Sequence, residues 1–197
     1  MSVKVGQKVD NFKGTAVIGQ DFKEISLADY QGKYVVVFFY PLDFTFVCPT
    51  EILKFNELYP EFKKRNVEII SVSTDSKYSH LAWKNTPVTE GGIGDIQYPM
   101  MADFTKQIAA LFGVLIEHSG TALRGTFLID KAGVLQHATI NNLDLGRNIH
   151  ETLRMVDALQ FTEEHGEVCP AEWAAGDEAM KANRDSLKAY LTTHTQK

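Results

Sequence analysis

Cysteine is nearly absent: two occur in 197 residues. So few thiols exclude a secreted disulfide framework and a Cys-rich zinc module. There is no run of about 18 apolar residues, and the opening MSVKVGQKVDNF lacks the apolar stretch and small-residue cleavage site of a secretory signal. The chain therefore reads as soluble and cytoplasmic, with no membrane partner. In that reducing compartment, any pairing of the cysteines is transient and functional rather than structural. Basic residues are in deficit, 20 Lys+Arg against 25 Asp+Glu for a formal charge of −5, which argues against a nucleic-acid partner. The six histidines lack metal-ligand spacing, and H-E-x-x-H, Cys-x-x-Cys, G-x-G-x-x-G and P-loop patterns are all missing. No metal, haem or nucleotide cofactor is implied.

What is present suits one domain, with 44% hydrophobic and 23% charged residues and no repeat or long linker. Tyr34 to Tyr40 (YVVVFFY) is a continuous apolar, β-branched and aromatic run, the pattern of a strand buried on both faces. Val67 to Ser73 reads as a second. Between them Ile52, Phe55, Leu58, Tyr59 and Phe62 recur at helical spacing, which predicts an amphipathic helix from about Pro49 to Arg65, kinked at Pro60. Further helices are expected over Ser76 to Asn85 and over Phe104 to Phe112, the latter ended by Gly113. Residues 125–130 and 134–140 flank Lys131-Ala132-Gly133 as an antiparallel hairpin, and Ile149, Leu153, Val156 and Leu159 mark a last core helix. The order describes an α/β sandwich around a mixed central sheet. After Phe161 the chain turns polar, so residues 1–161 are read as the domain and 162–197 as a C-terminal extension.

Cys48 lies between the buried strand and the helix that opens at Pro49. Proline suits a first helical position because its missing N–H has no partner there anyway. Free N–H groups and the positive end of the helix dipole favour an anion at that point, so the sulfur is expected to sit there as a thiolate.

Phe38 to Glu51 reads FFYPLDFTFVCPTE, and its P-x-x-x-T-x-x-C closely resembles the active-site motif of the peroxiredoxins. Val168-Cys169-Pro170 in the tail and Arg124 ahead of the hairpin extend the resemblance over nearly the whole chain, which is similar to the typical 2-Cys group that includes the alkyl hydroperoxide reductase C component. The resemblance implies a thioredoxin-like fold, in agreement with the element order. It implies that Cys48 is the peroxidatic cysteine, Thr45 the hydroxyl that bonds thiolate and peroxide, Pro41 the cover that limits solvent, and Arg124 the adjacent cation. Glu51 and Arg147 resemble residues that orient that arginine. The implied reaction reduces hydrogen peroxide and organic hydroperoxides through a Cys48 sulfenic acid, with no cofactor.

Cys169 is then the resolving thiol, and the resemblance implies a disulfide between subunits of a homodimer, five dimers forming a decamer. Thioredoxin or a flavoprotein disulfide reductase would supply electrons. A second class is an oligomeric holdase chaperone favoured by overoxidation. A third, a disulfide oxidoreductase of the same fold, is disfavoured because Thr45 stands where thioredoxins place their second cysteine.

Ionisation alone does not explain fast peroxide cleavage. A thiol of ordinary acidity is about 3% ionised at neutral pH, so full ionisation gains roughly thirtyfold. The accompanying loss of nucleophilicity, at a Brønsted slope of about 0.45, removes roughly thirteenfold. The remainder must come from donors fixed in advance around the O–O bond.

The family's peroxide-sensitive members carry a G-G-x-G loop and a C-terminal Tyr-Phe pair, both thought to slow the unwinding that exposes the sulfenic acid. Here Gly91, Gly92 and Gly94 match the loop, but the pair reads Tyr190-Leu191, and leucine packs with less area. Intermediate susceptibility follows: mass spectrometry of Cys48 after graded peroxide during turnover is expected to show sulfinic acid at intermediate doses. Complete conversion at the lowest doses, or none at any dose, contradicts it.

Overall fold

A computed structural model describes residues 2–194. The chain divides into two compact units, Met1–Ile149 and His150–Lys197.

The first unit is built on a seven-stranded sheet. Its first strands form a hairpin, β1 (Lys13–Ile18) and β2 (Asp21–Ser26), with β2 at the edge. The strand β3 (Tyr34–Phe39) is buried at every residue. It pairs in parallel with β4 (Val67–Ser73) and antiparallel with β8 (Arg124–Ile129), both equally buried. Continuous apolar runs form these three strands because both faces are covered. The sheet continues from β4 through β5 (Met100–Ala102) to β1, and from β8 to β9 (Leu135–Asn141). A small separate hairpin pairs β6 (Leu115–Ile116) with β7 (Thr121–Ala122).

Between β3 and β4 runs α1 (Cys48–Lys64). It runs through Pro60, an exposed residue, without a break in the helix. The next helix, α2 (Lys77–Asn85), starts where expected because the Ser76 side chain accepts the Ser79 N–H at 3.2 Å. By contrast α3 spans only Gln107–Leu111. Asp103 accounts for the late start. Its buried carboxylate accepts the N–H groups of Ile108 and Ala109 at 3.1 and 2.7 Å, while Lys106 turns left-handed at φ 64°. The β8–β9 hairpin turns as expected: Asp130 accepts the N–H groups of Ala132 and Val134, and Gly133 takes φ 83°, which glycine adopts without cost.

The topology decides what meets what. β3 runs into the loop before α1, and β8 runs antiparallel to it, with Phe38 opposite Thr126. The start of β8 and the start of α1 thus lie at the same end of the sheet.

The second unit contains α4 (Ile149–His165, opening at the junction) and α5 (Arg184–His194). Between them Val168 and Met180 form a two-bond bridge, and buried Trp173 lies 4.9 Å from the Phe161 ring. Arg154 fastens this turn through the Trp173 carbonyl at 2.7 Å. No helix among the described residues is long and apolar enough to cross a membrane.

Candidate active site

Cys48 is the first residue of α1 and is fully buried, with Pro49 in the first turn. In this first turn Pro49 has no N–H, and the N–H groups of Thr50 and Glu51 donate to the Val47 carbonyl at 3.1 and 3.4 Å. Arg124, the first residue of β8, brings its Nη1 to 3.4 Å from the Cys48 sulfur. The same nitrogen donates to Glu51 Oε2 at 2.7 Å, and Arg124 Nε donates to the Leu143 carbonyl at 2.6 Å. The guanidinium has little freedom to leave the sulfur.

Glu51 stands one turn into α1 and is 3% exposed. Arg147 closes on it from the other side, donating from its backbone N–H and Nε to Oε1 (both 2.9 Å) and from Nη2 to Oε2 (2.7 Å). Arg147 also donates to the Gly125 carbonyl at 2.9 Å and stacks over Phe38, 5.1 Å from its centroid. Two buried guanidiniums thus share one carboxylate, which leaves the cluster with one uncompensated positive charge. Burying a charge without a partner is costly. The Cys48 sulfur lies beside that charge, 3.4 Å from Arg124 Nη1.

Thr45 and Pro41 lie in the loop between β3 and α1. Pro41 is buried; Thr45 is half-buried and donates its hydroxyl proton to the Leu42 carbonyl at 2.9 Å, leaving its oxygen free to accept. Of the residues singled out from sequence, Cys48, Arg124, Glu51 and Arg147 form one hydrogen-bonded cluster, with Thr45 and Pro41 in the loop that precedes Cys48.

Gly91, Gly92 and Gly94 follow α2 rather than joining the cluster. A Cβ on Gly92 would lie 1.8 Å from the Thr86 carbonyl oxygen, and the Gly91 carbonyl accepts the Trp83 indole N–H at 2.9 Å, so this loop needs glycine for close approach. Tyr190 and Leu191 lie on α5, Tyr190 half-buried and Leu191 43% exposed. Cys169 is half-buried in the second unit, its Sγ 3.8 Å from the Ala158 carbonyl. Both cysteines are free thiols.

Sequence reasoning passed over Tyr40, Asp43 and His80, which form a buried network under the same loop: the Tyr40 hydroxyl donates to Asp43 Oδ1 at 2.8 Å and His80 Nδ1 lies 2.8 Å from Oδ2. A single histidine on a helix and an aspartate in a loop carry no signal of their meeting. Among the described residues, no three His, Cys, Asp or Glu side chains are placed to hold a metal ion.

The geometry is that of a buried sulfur with a guanidinium at its side. The model of the AhpC/TSA family matches residues 5–138, and that of the C-terminal domain of 1-Cys peroxiredoxin matches residues 158–193. The chain belongs to the peroxiredoxins of the AhpC/TSA family. Peroxiredoxin-2 of Bos taurus is 53% identical over 190 residues, covering 96% of each chain. Peroxiredoxin tpx1 of Schizosaccharomyces pombe is 55% identical over 194 residues, covering 98% of this chain and all of that one. The crystal structure of reduced Plasmodium vivax 2-Cys peroxiredoxin superposes with a TM-score of 0.93 at 45% identity, covering 95% of this chain and 98% of the other. The fold is therefore thioredoxin-like and the activity that of a thiol peroxidase. These relatives do not favour the holdase reading.

Within the second unit, burial pushes the Cys169 thiol above its ordinary acidity range, and the nearby Arg154 cation only partly opposes this. A thiol so raised is mostly protonated at neutral pH, and its thiolate fraction grows about tenfold per pH unit until the raised value is reached. If Cys169 captures the sulfenic acid, disulfide formation after one equivalent of peroxide should accelerate from about pH 6.5 to about pH 9. Rapid acid quench followed by thiol counting measures it; a flat profile contradicts it.

Proposed function

We propose that this peroxidase reduces hydrogen peroxide and small organic hydroperoxides in the cytoplasm through Cys48, and that Cys169 of a second subunit resolves the oxidised sulfur. The observation that carries the reading is the Arg124 guanidinium, bonded at once to the Cys48 sulfur and to Glu51. A thiolate there attacks the outer oxygen of the peroxide. The S–O bond forms as the O–O bond breaks, and the departing oxygen takes a proton to leave as water or alcohol. Arg124 is the donor at the sulfur; an arginine held at two other points does not reorganise as charge moves. Thr45 can accept from the peroxide O–H because its own proton is given to Leu42.

Cys48 is then a sulfenic acid. Attack by the Cys169 thiol forms the disulfide and releases water. Two electrons and two protons restore both thiols, and thioredoxin or a flavoprotein disulfide reductase fits that requirement. With no sulfur exposed at position 48, the start of α1 must unwind before the disulfide closes.

Self-association has support in the surface. Phe46 is 93% exposed in the loop before Cys48, and Tyr78 and Phe104, also largely exposed, line one shallow apolar cavity. Exposed aromatics in such number suit covering by another copy of the chain. We place them at the contact between dimers of a decamer.

Peroxide should convert the protein to a covalent dimer on non-reducing gels, and neither Cys48→Ser nor Cys169→Ser should form it. Peroxide consumption with thioredoxin and its reductase as sole electron source should require both cysteines. A disulfide-linked monomer would remove the second subunit from this account, and turnover by Cys48→Ser would remove Cys48.

A further inference from the structure

The loop that carries Pro41 and Thr45 is strained at its centre. Phe44 holds φ at 54°, a left-handed conformation that costs a residue with a side chain on the order of 1–3 kcal/mol. Its ring is half-exposed, 5.7 Å from Trp83. Such strain persists only where neighbouring groups over-determine the backbone. Here the neighbour is Asp43.

Asp43 is tied from three sides. Its backbone N–H donates to Asp75 Oδ2 at 2.9 Å, and Asp75 is itself fixed by the Ser73 hydroxyl at 2.7 Å, at the end of β4. The Asp43 carboxylate, its side chain 1% exposed, accepts the Tyr40 hydroxyl and faces His80 Nδ1 at 2.8 and 3.1 Å. The His80 side chain is fully buried, and its Nε2 faces the Met101 carbonyl of β5 at 3.3 Å. The ring is thus pinned between the sheet and the loop. A buried aspartate tied from three sides, next to a strained residue of its own loop, is more than packing a surface loop requires.

We propose that Asp43 and His80 are positioning residues for peroxide reduction: their buried hydrogen bond holds the strained turn so that Thr45 and Pro41 meet Cys48 in a single conformation. The proposal rests on Cys48 being the reacting sulfur. Neither residue touches the reacting atoms. Their effect falls on the balance between the closed loop, which reacts with peroxide, and the opened one, which exposes Cys48 to Cys169. Breaking the tie slows peroxide attack, and it also lets Cys169 capture the sulfenic acid sooner, so less is overoxidised per turnover. A merely structural role would lower thermal stability without moving that partition.

The test uses the full-length protein, with stopped-flow measurement of Cys48 oxidation by hydrogen peroxide and mass spectrometry of the sulfinic form. His80→Leu removes the donor. Its peroxide rate constant should fall about tenfold or more, and its overoxidised fraction per turnover by about threefold. His80→Asn, which keeps an N–H directed at Asp43, should stay within about threefold of the parent rate. Asp43→Asn, nearly isosteric, should shift both readouts in the same direction as His80→Leu, and it decides the matter alone if His80→Leu does not fold. Parental rate and partition in His80→Leu, or in Asp43→Asn, overturn the proposal, as does His80→Asn as slow as His80→Leu. An unsubstituted protein without Cys48-dependent peroxide consumption overturns the underlying reading and this proposal with it; the other outcomes overturn this proposal alone.

Discussion

One carboxylate held between two buried guanidiniums governs the chemistry of this chain. Glu51 accepts from Arg124 and Arg147 at distances of 2.7 to 2.9 Å, and all three side chains are at most 4% exposed. Removing either arginine's partner would leave an uncompensated buried charge, typically a loss of about 3–5 kcal/mol, so the arrangement is hard to alter piecemeal. Its residual positive charge faces a single sulfur. Stability and reactivity therefore draw on the same contacts, and the geometry that orients Arg124 toward a peroxide is already paid for in folding.

The fold supplies this meeting from distant parts of the chain. β3 delivers the loop and the first turn of α1, antiparallel β8 returns Arg124 to the same end of the sheet, and the segment after β9 returns Arg147. Each anchor also bonds to backbone: Arg124 to Leu143 and Arg147 to Gly125. The loop from Pro41 to Thr45, which precedes Cys48, is tied down through Asp43.

Much of this was legible in the residues because it rested on local pattern. The runs YVVVFFY and VEIISVS read as central strands since burial on both faces demands continuous apolar residues, and P-x-x-x-T-x-x-C placed Cys48 beside a helix start because Pro49 can stand there. What stayed hidden depended on contacts between separated segments. The three residues of β5 and the exposed edge strand β2, with its aspartate, lysine and glutamate, carry too little periodicity to be seen alone. The late start of α3 came from the Asp103 side chain capturing two N–H groups, a tertiary choice that overrode an apolar pattern. Glu51 and Arg147 were visible only through resemblance, and the Asp43–His80 pair was not visible at all.

The account rests on fixed donors, rather than ionisation of the sulfur, carrying most of the rate. Arg124→Leu separates the two when the thiolate absorbance of Cys48 is titrated and its rate constant with hydrogen peroxide measured on the same protein. The rate should fall by about a hundredfold or more, far beyond the change in thiolate fraction. A loss in proportion to that fraction would contradict it.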